Sequence, residues 1–252
     1  MSSGNALRVC ALYPSRMNIY ADRGNLLMLQ RRCEWRGIGF ELTASENGDQ
    51  IDPAAHDFFY IGGGQDNDQK QIASDMIATK RDALAVAIDA DKVVLAVCGG
   101  YQLLGEYYEL EDERVEGLGL VDLRTIREPG PRLIGNVLIE IDAGGRKRLL
   151  AGFENHGGRT HLGESAEPLG RVVEGYGNNG KDHLEGVRTR NLIGTYLHGP
   201  LLPKNVWFAD HLIELALGRD EPLEPLDDAL EIEAHHSAIR AAGASPKTKG
   251  SW

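Results

Sequence analysis

The chain has 252 residues, of which 42% are hydrophobic and 26% charged, and its formal net charge is −11. This is the composition of an ordinary globular protein, and the chain is long enough for one large α/β domain or two small ones. So acidic a chain argues against nucleic acid as the main partner and disfavours docking on anionic lipid, because both need clustered basic residues.

Signals for secretion, membrane insertion and disulfide formation are missing from the pattern. The N-terminal Met1-Ser2-Ser3-Gly4-Asn5 has no charged start or apolar core, and no apolar stretch approaches the roughly 20 residues that span a bilayer. The three cysteines, Cys10, Cys33 and Cys98, have neither disulfide-framework nor zinc-site spacing. We therefore expect a cytoplasmic protein without a metal.

The first half of the chain predicts alternating strands and helices. Strands are expected at 7–13, 40–43, 56–61 and 92–97, with a helix beginning at an Asp22 N-cap and a long helix over 68–90. Strand, helix, strand, strand, helix, strand is the order of a doubly wound parallel sheet.

The second half predicts added antiparallel strands and then an acidic extension. Short strands are expected at 117–126, 133–142, 171–176 and 186–190, followed by a buried strand at 192–197 and a helix opened by Pro203. We predict that one domain covers residues 1–218. Residues 219–252 form an acidic extension, with a weak helix at 234–242 and a disordered tail after it.

Cys98 stands at the most informative turn of the sequence. The apolar strand 92–97 ends at this cysteine, two glycines follow, and a helix then begins. A direct strand-to-helix turn projects its central side chain above the sheet and points the next backbone N–H groups at a ligand. The helix N-terminus also favours a thiolate. Most free cysteines are small buried hydrophobes, but this context favours a nucleophile.

His198 follows another buried strand and precedes Gly-Pro. Ligands of open α/β sheets bind outside the carboxyl ends of the strands, so His198 and Cys98 can meet at the same edge. An imidazole there can take the thiol proton and return it to a leaving group. The chain has eight histidines, and most are expected to be structural or on the surface.

Three further features carry weaker signals. The Gly62-Gly63-Gly64 run closes a predicted strand, and its N–H groups, with that of Gly99, are candidates for stabilising an oxyanion, although a plain turn is equally consistent. Arg132 alone would normally be solvated surface. The polar segment 153–160, Phe-Glu-Asn-His-Gly-Gly-Arg-Thr, is either a binding loop or a self-bonded turn.

Taken together, these motifs resemble the class I glutamine amidotransferases of the cobyric acid synthase type, over about residues 7–217. The resemblance implies an α/β, flavodoxin-like three-layer sandwich with a central, mostly parallel sheet and added antiparallel strands. It also implies a glutaminase in which Cys98 is the nucleophile, His198 the general base and Arg132 the residue that holds L-glutamine. Gly64 and Gly99 would provide the oxyanion donors.

Within this family, the chain resembles glutaminase subunits that form a heterodimer with a MurT-like homologue of the Mur ligases. The resemblance implies that the partner binds ATP and Mg and amidates lipid II with the ammonia that this chain releases. This chain would then need no cofactor of its own. Its lipid-linked acceptor would bring it to the inner face of the membrane.

Two positions depart from the common pattern of the class. Ala96 replaces the first glycine of Gly-x-Cys-x-Gly, and Pro200 stands where a glutamate usually follows the histidine by two residues. No carboxylate in the sequence presents itself as a replacement. The resemblance implies that an aspartate of the partner can complete the triad, which would keep the free glutaminase slow.

Three alternatives remain open at this stage. The chain could be the glutaminase of another cobyric acid synthase-type amidotransferase, since its length does not identify the acceptor. It could be an intracellular cysteine peptidase of related fold, although Arg132 and the 153–160 segment have no evident use there. It could also be a scaffold that kept the fold, in which case replacing Cys98 would change nothing.

Overall fold

The computed structural model describes residues 6–19, 22–110 and 113–244. Its strands are β1 (Ala6–Leu12), β2 (Gly39–Ser45), β3 (Phe58–Ile61), β4 (Val93–Val97), β5 (Tyr107–Glu109), β6 (Arg114–Glu116), β7 (Leu123–Ile126), β8 (Leu133–Asp142), β9 (Lys147–His156), β10 (Arg159–Leu162), β11 (Gly170–Glu174), β12 (Leu184–Glu185), β13 (Val187–Thr189) and β14 (Leu192–Thr195). Its helices are α1 (Arg23–Glu34), α2 (Asp66–Thr79), α3 (Arg81–Asp89), α4 (Gly99–Leu103), α5 (Leu201–Lys204), α6 (Val206–Ala216) and α7 (Ala229–Ala241).

A six-stranded sheet with the order β13-β14-β4-β3-β1-β2 forms the centre of the molecule. Every neighbouring pair in it is parallel except β13 and β14. Strands β3, β4 and β14 are buried along their whole length, as expected when helices cover both faces of a parallel sheet. The predicted central sheet is therefore confirmed.

The direction of winding reverses between β1 and β3. The chain moves from β1 through α1 to β2 in one direction, and from β3 through α2 and α3 to β4 in the other. Because such crossovers are right-handed, the two sets of helices lie on opposite faces. A reversal of this kind opens a crevice at the carboxyl ends of the strands, where ligands bind.

Two four-stranded sheets flank the central one. Their orders are β10-β7-β5-β6 and β12-β11-β8-β9. The hairpin of β8 and β9 is the longest pairing, with ten residue pairs from Leu133–His156 to Asp142–Lys147. The predicted antiparallel additions are thus present, but β5, β6, β9, β10 and β12 were not predicted.

The long helix predicted over 68–90 is divided into α2 and α3 at Lys80. The ammonium group of this fully buried lysine donates to the backbone oxygens of Glu46 and Asp49, at 3.0 and 2.9 Å, and to Asp75 Oδ2 at 3.2 Å. A buried cation needs such partners, and the bend between the helices provides them. Tertiary contacts therefore overrode a continuous helical pattern.

Pro203 does not open the predicted final helix. It lies inside the short α5, and α6 begins one turn later, after the buried Asn205. The Asn205 amide accepts from the Ala151 N–H at 2.9 Å and donates to the Ala151 oxygen at 2.8 Å. These two bonds fix the start of α6 against β9.

The described part of the predicted extension packs onto the domain. Asp228 accepts two hydrogen bonds from the buried Arg32 of α1, at 2.7 and 2.8 Å. Helix α7 buries His235 and Ile239 and is longer than the weak helix predicted at 234–242. Most of the predicted disordered tail, 245–252, lies outside the described residues. No described helix is long and apolar enough to cross a bilayer.

Candidate functional site

Cys98 forms a strained turn between β4 and α4. Its backbone angles are φ 49° and ψ −104°, a region that residues other than glycine rarely occupy. Gly100 makes the turn possible, because a Cβ there would lie 2.6 Å from the Ile61 side chain. The predicted elbow is therefore present. The Cys98 side chain lines a cavity of about 380 Å³ at the carboxyl edge of the sheet.

His198 lies beside Cys98, as the strand-end argument predicts. Strand β14, which ends three residues before His198, pairs with β4, and the Cys98 N–H donates to the Thr195 oxygen at 2.8 Å. Two backbone hydrogen bonds to Phe153, of 2.8 and 3.1 Å, hold His198 in place. The imidazole is fully buried, and the Cys98 side chain is one of its electrostatic neighbours.

The electrostatic surroundings of His198 favour its protonated form. Burial lowers the pKa of the imidazole, but the neighbouring Cys98 and Asp22 raise it more, and the net pKa is raised to about 10. At neutral pH the ring therefore carries a proton. A departing amine or ammonia would need that proton.

A carboxylate of this chain contacts the imidazole. Asp22 Oδ1 lies 3.4 Å from His198 Nδ1, and both side chains are fully buried. The sequence pattern gave no indication of this carboxylate. Asp22 does occupy the N-cap position of α1, as predicted, but its side chain makes no capping hydrogen bond.

Arg132 and the segment 153–160 form one structure on the cavity wall. Arg132 Nε donates to Asn155 Oδ1 and its Nη2 to the Asn155 backbone oxygen, both at 2.9 Å. The β8–β9 register produces this contact, because it pairs Ile134 with Asn155. Arg127, which the sequence did not indicate, lines the same cavity. Two arginines therefore line the same cavity as Cys98.

The two glycines predicted as oxyanion donors have different positions. Gly64 lines the cavity, whereas Gly99 is buried and packs directly against the Gln69 side chain. Gly63, which precedes Gly64 in the same loop, donates its N–H to Asp22 Oδ2 at 2.8 Å. Whether Gly64 and Gly99 stabilise an oxyanion stays a prediction.

A buried chain of polar side chains, also missed from the sequence, supports the cavity floor. Gln69 donates to Gln102 Oε1 at 3.0 Å, and Gln102 donates to Tyr196 Oη at 3.1 Å. The Tyr196 ring stacks on His156, with ring centres 3.6 Å apart. Gln69, Gln102 and His156 all line the cavity, so these contacts hold part of its lining in place.

Glu185 anchors the backbone that carries His198. Its carboxyl group accepts from the Tyr196 N–H at 2.7 Å and from Thr195 Oγ1 at 3.0 Å. Burial raises the pKa of Glu185 to about 8 despite these hydrogen bonds. The side chain is therefore largely protonated at neutral pH in the folded protein.

The raised pKa of Glu185 predicts a pH-dependent stability. Between its ordinary pKa of 4.5 and about 8, the folded state binds the proton more tightly than the unfolded state. This contribution to stability is complete below pH 4.5 and is lost as the pH rises through 8. We expect the melting temperature to fall by several degrees between pH 6 and pH 9. Measured by calorimetry, the fall in melting temperature should be smaller in Glu185→Gln. The exposed control Glu164→Gln should show the same fall as the unaltered protein.

Within the described residues, no group of three or more His, Cys, Asp or Glu side chains is placed to hold a metal ion. The structure thus places Cys98, Arg132 and Gly64 on the lining of one cavity, while His198 and Gly99 lie buried next to Cys98. It adds Asp22, Arg127 and Asn155. Only the polarity of the 153–160 segment hinted at Asn155 in the sequence.

The fold and the comparisons with known proteins define one class. A model of the CobB/CobQ-like glutamine amidotransferase domain matches residues 8–206, and the chain belongs to this family. Two solved structures of Thermotoga maritima share its fold: a PurLQS structure, with a TM-score of 0.57 at 19% identity, and a glutamine amidotransferase, with 0.54 at 16%. They cover 84% and 94% of this chain, and the matches span 96% and 94% of those chains. The resemblance drawn from the motifs is confirmed.

Individual proteins similar to this chain indicate which members of the family it resembles. The chain is 39% identical to GatD of Streptococcus pneumoniae, named as the glutamine-hydrolyzing subunit of lipid II isoglutaminyl synthase, over 93% of this chain and 92% of that one. GatD of Staphylococcus aureus is also 39% identical, over 93% and 95%. A probable cobyric acid synthase of Methanothermobacter thermautotrophicus is 32% identical over 78% of this chain, but over only 40% of its own length.

Proposed function

We propose that this chain is the glutamine-hydrolysing subunit of a lipid II isoglutaminyl synthase. The observation that carries the proposal is the electrostatic pairing of Cys98 with the buried His198, beside a cavity that Cys98 and Arg132 both line. A cavity of about 380 Å³ suits a free amino acid. The likeness to two GatD proteins along almost the whole chain supports the same assignment.

The geometry supports a two-step hydrolysis. L-Glutamine binds with its α-carboxylate at Arg132, whose planar guanidinium suits a carboxylate. Cys98 Sγ attacks the side-chain amide carbon, and backbone N–H groups near Gly64 and Gly99 stabilise the oxyanion. The C–N bond then breaks, and His198 gives its proton to the departing ammonia.

The second step regenerates the enzyme. The first step leaves the γ-glutamyl group attached to Cys98 as a thioester. His198, now neutral, takes a proton from a water molecule that attacks the thioester carbon, and the C–S bond breaks. Glutamate leaves, and the thiol and the imidazole return to their starting states. Each cycle consumes one glutamine and one water and yields glutamate and ammonia.

The ammonia would pass to a MurT-like homologue of the Mur ligases. That partner would bind ATP and Mg, activate the α-carboxylate of D-glutamate in lipid II and produce D-isoglutamine. The lipid-linked acceptor would place the heterodimer at the inner face of the membrane. The coverage of the relatives favours this acceptor over cobyrinate, because the GatD matches span both chains almost completely and the cobyric acid synthase match does not.

The test is the transfer of amide nitrogen. The chain is co-purified with a Mur ligase-like protein of the same organism and supplied with ATP, lipid II and glutamine labelled with ¹⁵N in the side-chain amide. We expect the label in the lipid II stem peptide, measured by mass spectrometry. Release of labelled ammonia without labelled lipid II would keep the glutaminase and reject the acceptor, and peptide cleavage without glutamine hydrolysis would favour the peptidase.

A further inference from the structure

Arg159, at the start of β10, is a buried arginine that the two-step hydrolysis leaves without a role. Only 5% of its surface is exposed. Its Nη1 donates to the Gly157 oxygen at 2.8 Å and its Nη2 to the Pro131 oxygen at 2.7 Å, and no carboxylate of the described chain lies within ion-pair distance of it. A buried charge without a counter-ion costs stability. The positions of the two carbonyls indicate what this charge does.

The two carbonyls belong to the two segments that form the predicted carboxylate site. Pro131 directly precedes Arg132, and Gly157 follows β9, whose Asn155 accepts both hydrogen bonds of Arg132. The planar fork of Arg159 thus joins the approach to β8 to the turn after β9. It sets the distance between the backbone beside Arg132 and that turn.

Two further guanidinium groups meet at the same turn. A Cβ on Gly157 would lie 3.3 Å from Arg127 Nη1 and 3.3 Å from Arg132 Nη1. Both arginines and Gly157 line the catalytic cavity, whereas Arg159 is not part of the lining. Three positive charges therefore converge on one backbone turn, two on its cavity side and one behind it. Such an arrangement favours a carboxylate in the cavity.

The imidazole of His156 holds the next carbonyl of the turn. Its Nδ1 lies 2.9 Å from the Gly158 oxygen, and because a carbonyl only accepts, Nδ1 carries the proton. The ring is itself fixed by stacking on Tyr196. The turn is thus bound at Gly157 by Arg159 and at Gly158 by His156 before any substrate arrives, and such preorganisation strengthens binding.

We propose that Arg159 is a positioning residue of the glutamine site. From behind the Gly157 turn it holds Arg132 in place for the α-carboxylate of the substrate, and its own buried charge adds to the attraction. The inference rests on the proposed function and deepens it, because it identifies how the site selects a free amino acid. Arg159 does not touch the substrate and acts through the turn and through Arg132.

Arg159→Met and Arg159→Lys are the discriminating variants. Methionine has a similar length but leaves both carbonyls without a donor, whereas lysine keeps the charge and loses the planar fork. We expect Arg159→Met to raise KM for glutamine by roughly tenfold with kcat nearly unchanged, because the α-carboxylate is bound equally in the ground state and the transition state. Arg159→Lys should recover part of the loss, with a rise of about threefold. The matched control is Arg124→Met, an exposed arginine on the neighbouring β7, which should change neither constant.

A glutamine analogue without the α-carboxylate, 4-aminobutanamide, shows whether the effect passes through the carboxylate site. We expect its kcat/KM to be nearly the same in Arg159→Met and in the unaltered protein. An equal loss of kcat/KM for both substrates, or a fall in kcat at unchanged KM, would overturn the proposal, because Arg159 would then only support the fold. If thermal melting shows that Arg159→Met does not fold, Arg159→Lys carries the same comparison.

Failure of the proposed function would give a different result. Absence of glutamine hydrolysis in the unaltered protein would reject that function, and calorimetric titration of L-glutamine into Cys98→Ala, with and without Arg159→Met, would then test the arginine. We expect the second substitution to weaken the Kd by roughly tenfold. An equal Kd, or no binding to either protein, would contradict the role of Arg159.

Discussion

Cys98→Ala is expected to lower glutamine hydrolysis by roughly 10⁴-fold or more, with the fold unchanged, because single removals of a nucleophile cause losses of this order. Alanine keeps the Cβ of the side chain, so the substitution removes little more than the sulfur atom. The positive φ of the turn is retained, so no new strain is introduced. Ammonia release in a coupled assay measures the effect, and circular dichroism confirms the fold.

The other two cysteines of the chain provide controls for Cys98→Ala. Cys10 and Cys33 are free and fully buried, and burial raises the pKa of each thiol, to about 11 and about 12. We therefore expect Cys33→Ala to keep full activity. A diazoketone analogue of glutamine should alkylate Cys98 alone, as a single mass shift that Cys98→Ala lacks. Equal labelling of all three thiols, or full activity in Cys98→Ala, would exclude the nucleophile.

The sequence predicted the central sheet and the Cys98–His198 contact for one physical reason. Strands buried on both faces are continuous apolar runs, and parallel strands place the residues at their carboxyl ends along one edge of the sheet. The runs before Cys98 and His198 are of this kind. Their contact therefore results from topology, although 100 positions separate the two residues.

Asp22 could not be found in the same way. It follows no strand, and its local context at a helix start already explains an aspartate. Only the packing of the α1 entry against the Gly62-Gly63-Gly64 loop turns its carboxylate to His198. The strands β5, β6, β9 and β10 were missed for a related reason. Three of these four strands have only three or four residues, and their pairing partners define them better than their own patterns do.

The partnership of Arg132 and Asn155 depends on register in the β8–β9 hairpin. A shift of one residue would move Asn155 to the other face of the sheet and leave the guanidinium without its two acceptors. The register of a hairpin depends on the length and type of its turn. Sequence patterns alone do not define that turn here, near Gly144 and Gly145. The family resemblance therefore predicted Arg132 as a site residue, but it did not predict the hydrogen bonds of Arg132 to Asn155.

Arg132→Ala should therefore reduce kcat/KM for glutamine by roughly 10- to 10²-fold, since hydrogen bonds to a charged group contribute about 1.5–3 kcal/mol. The α-carboxylate is bound equally in the ground state and in the transition state, so the loss should appear mainly as a higher KM. Arg132→Lys should recover only part of it, because an ammonium group cannot form the planar two-point contact. Steady-state kinetics at several glutamine concentrations separate the two constants.

The matched control is Arg146→Ala, at the far end of the same hairpin, which removes an exposed arginine next to the turn and should leave KM unchanged. A substrate that lacks the α-carboxylate, 4-aminobutanamide, identifies the contact: it should be a poor substrate of the unaltered protein, and Arg132→Ala should weaken it little further. If Arg132→Ala instead lowered turnover of both substrates equally, the arginine would not bind the carboxylate. In that case the neighbouring Arg127, on the same wall, would be the residue that recognises glutamine, and Arg127→Ala should then show the rise in KM.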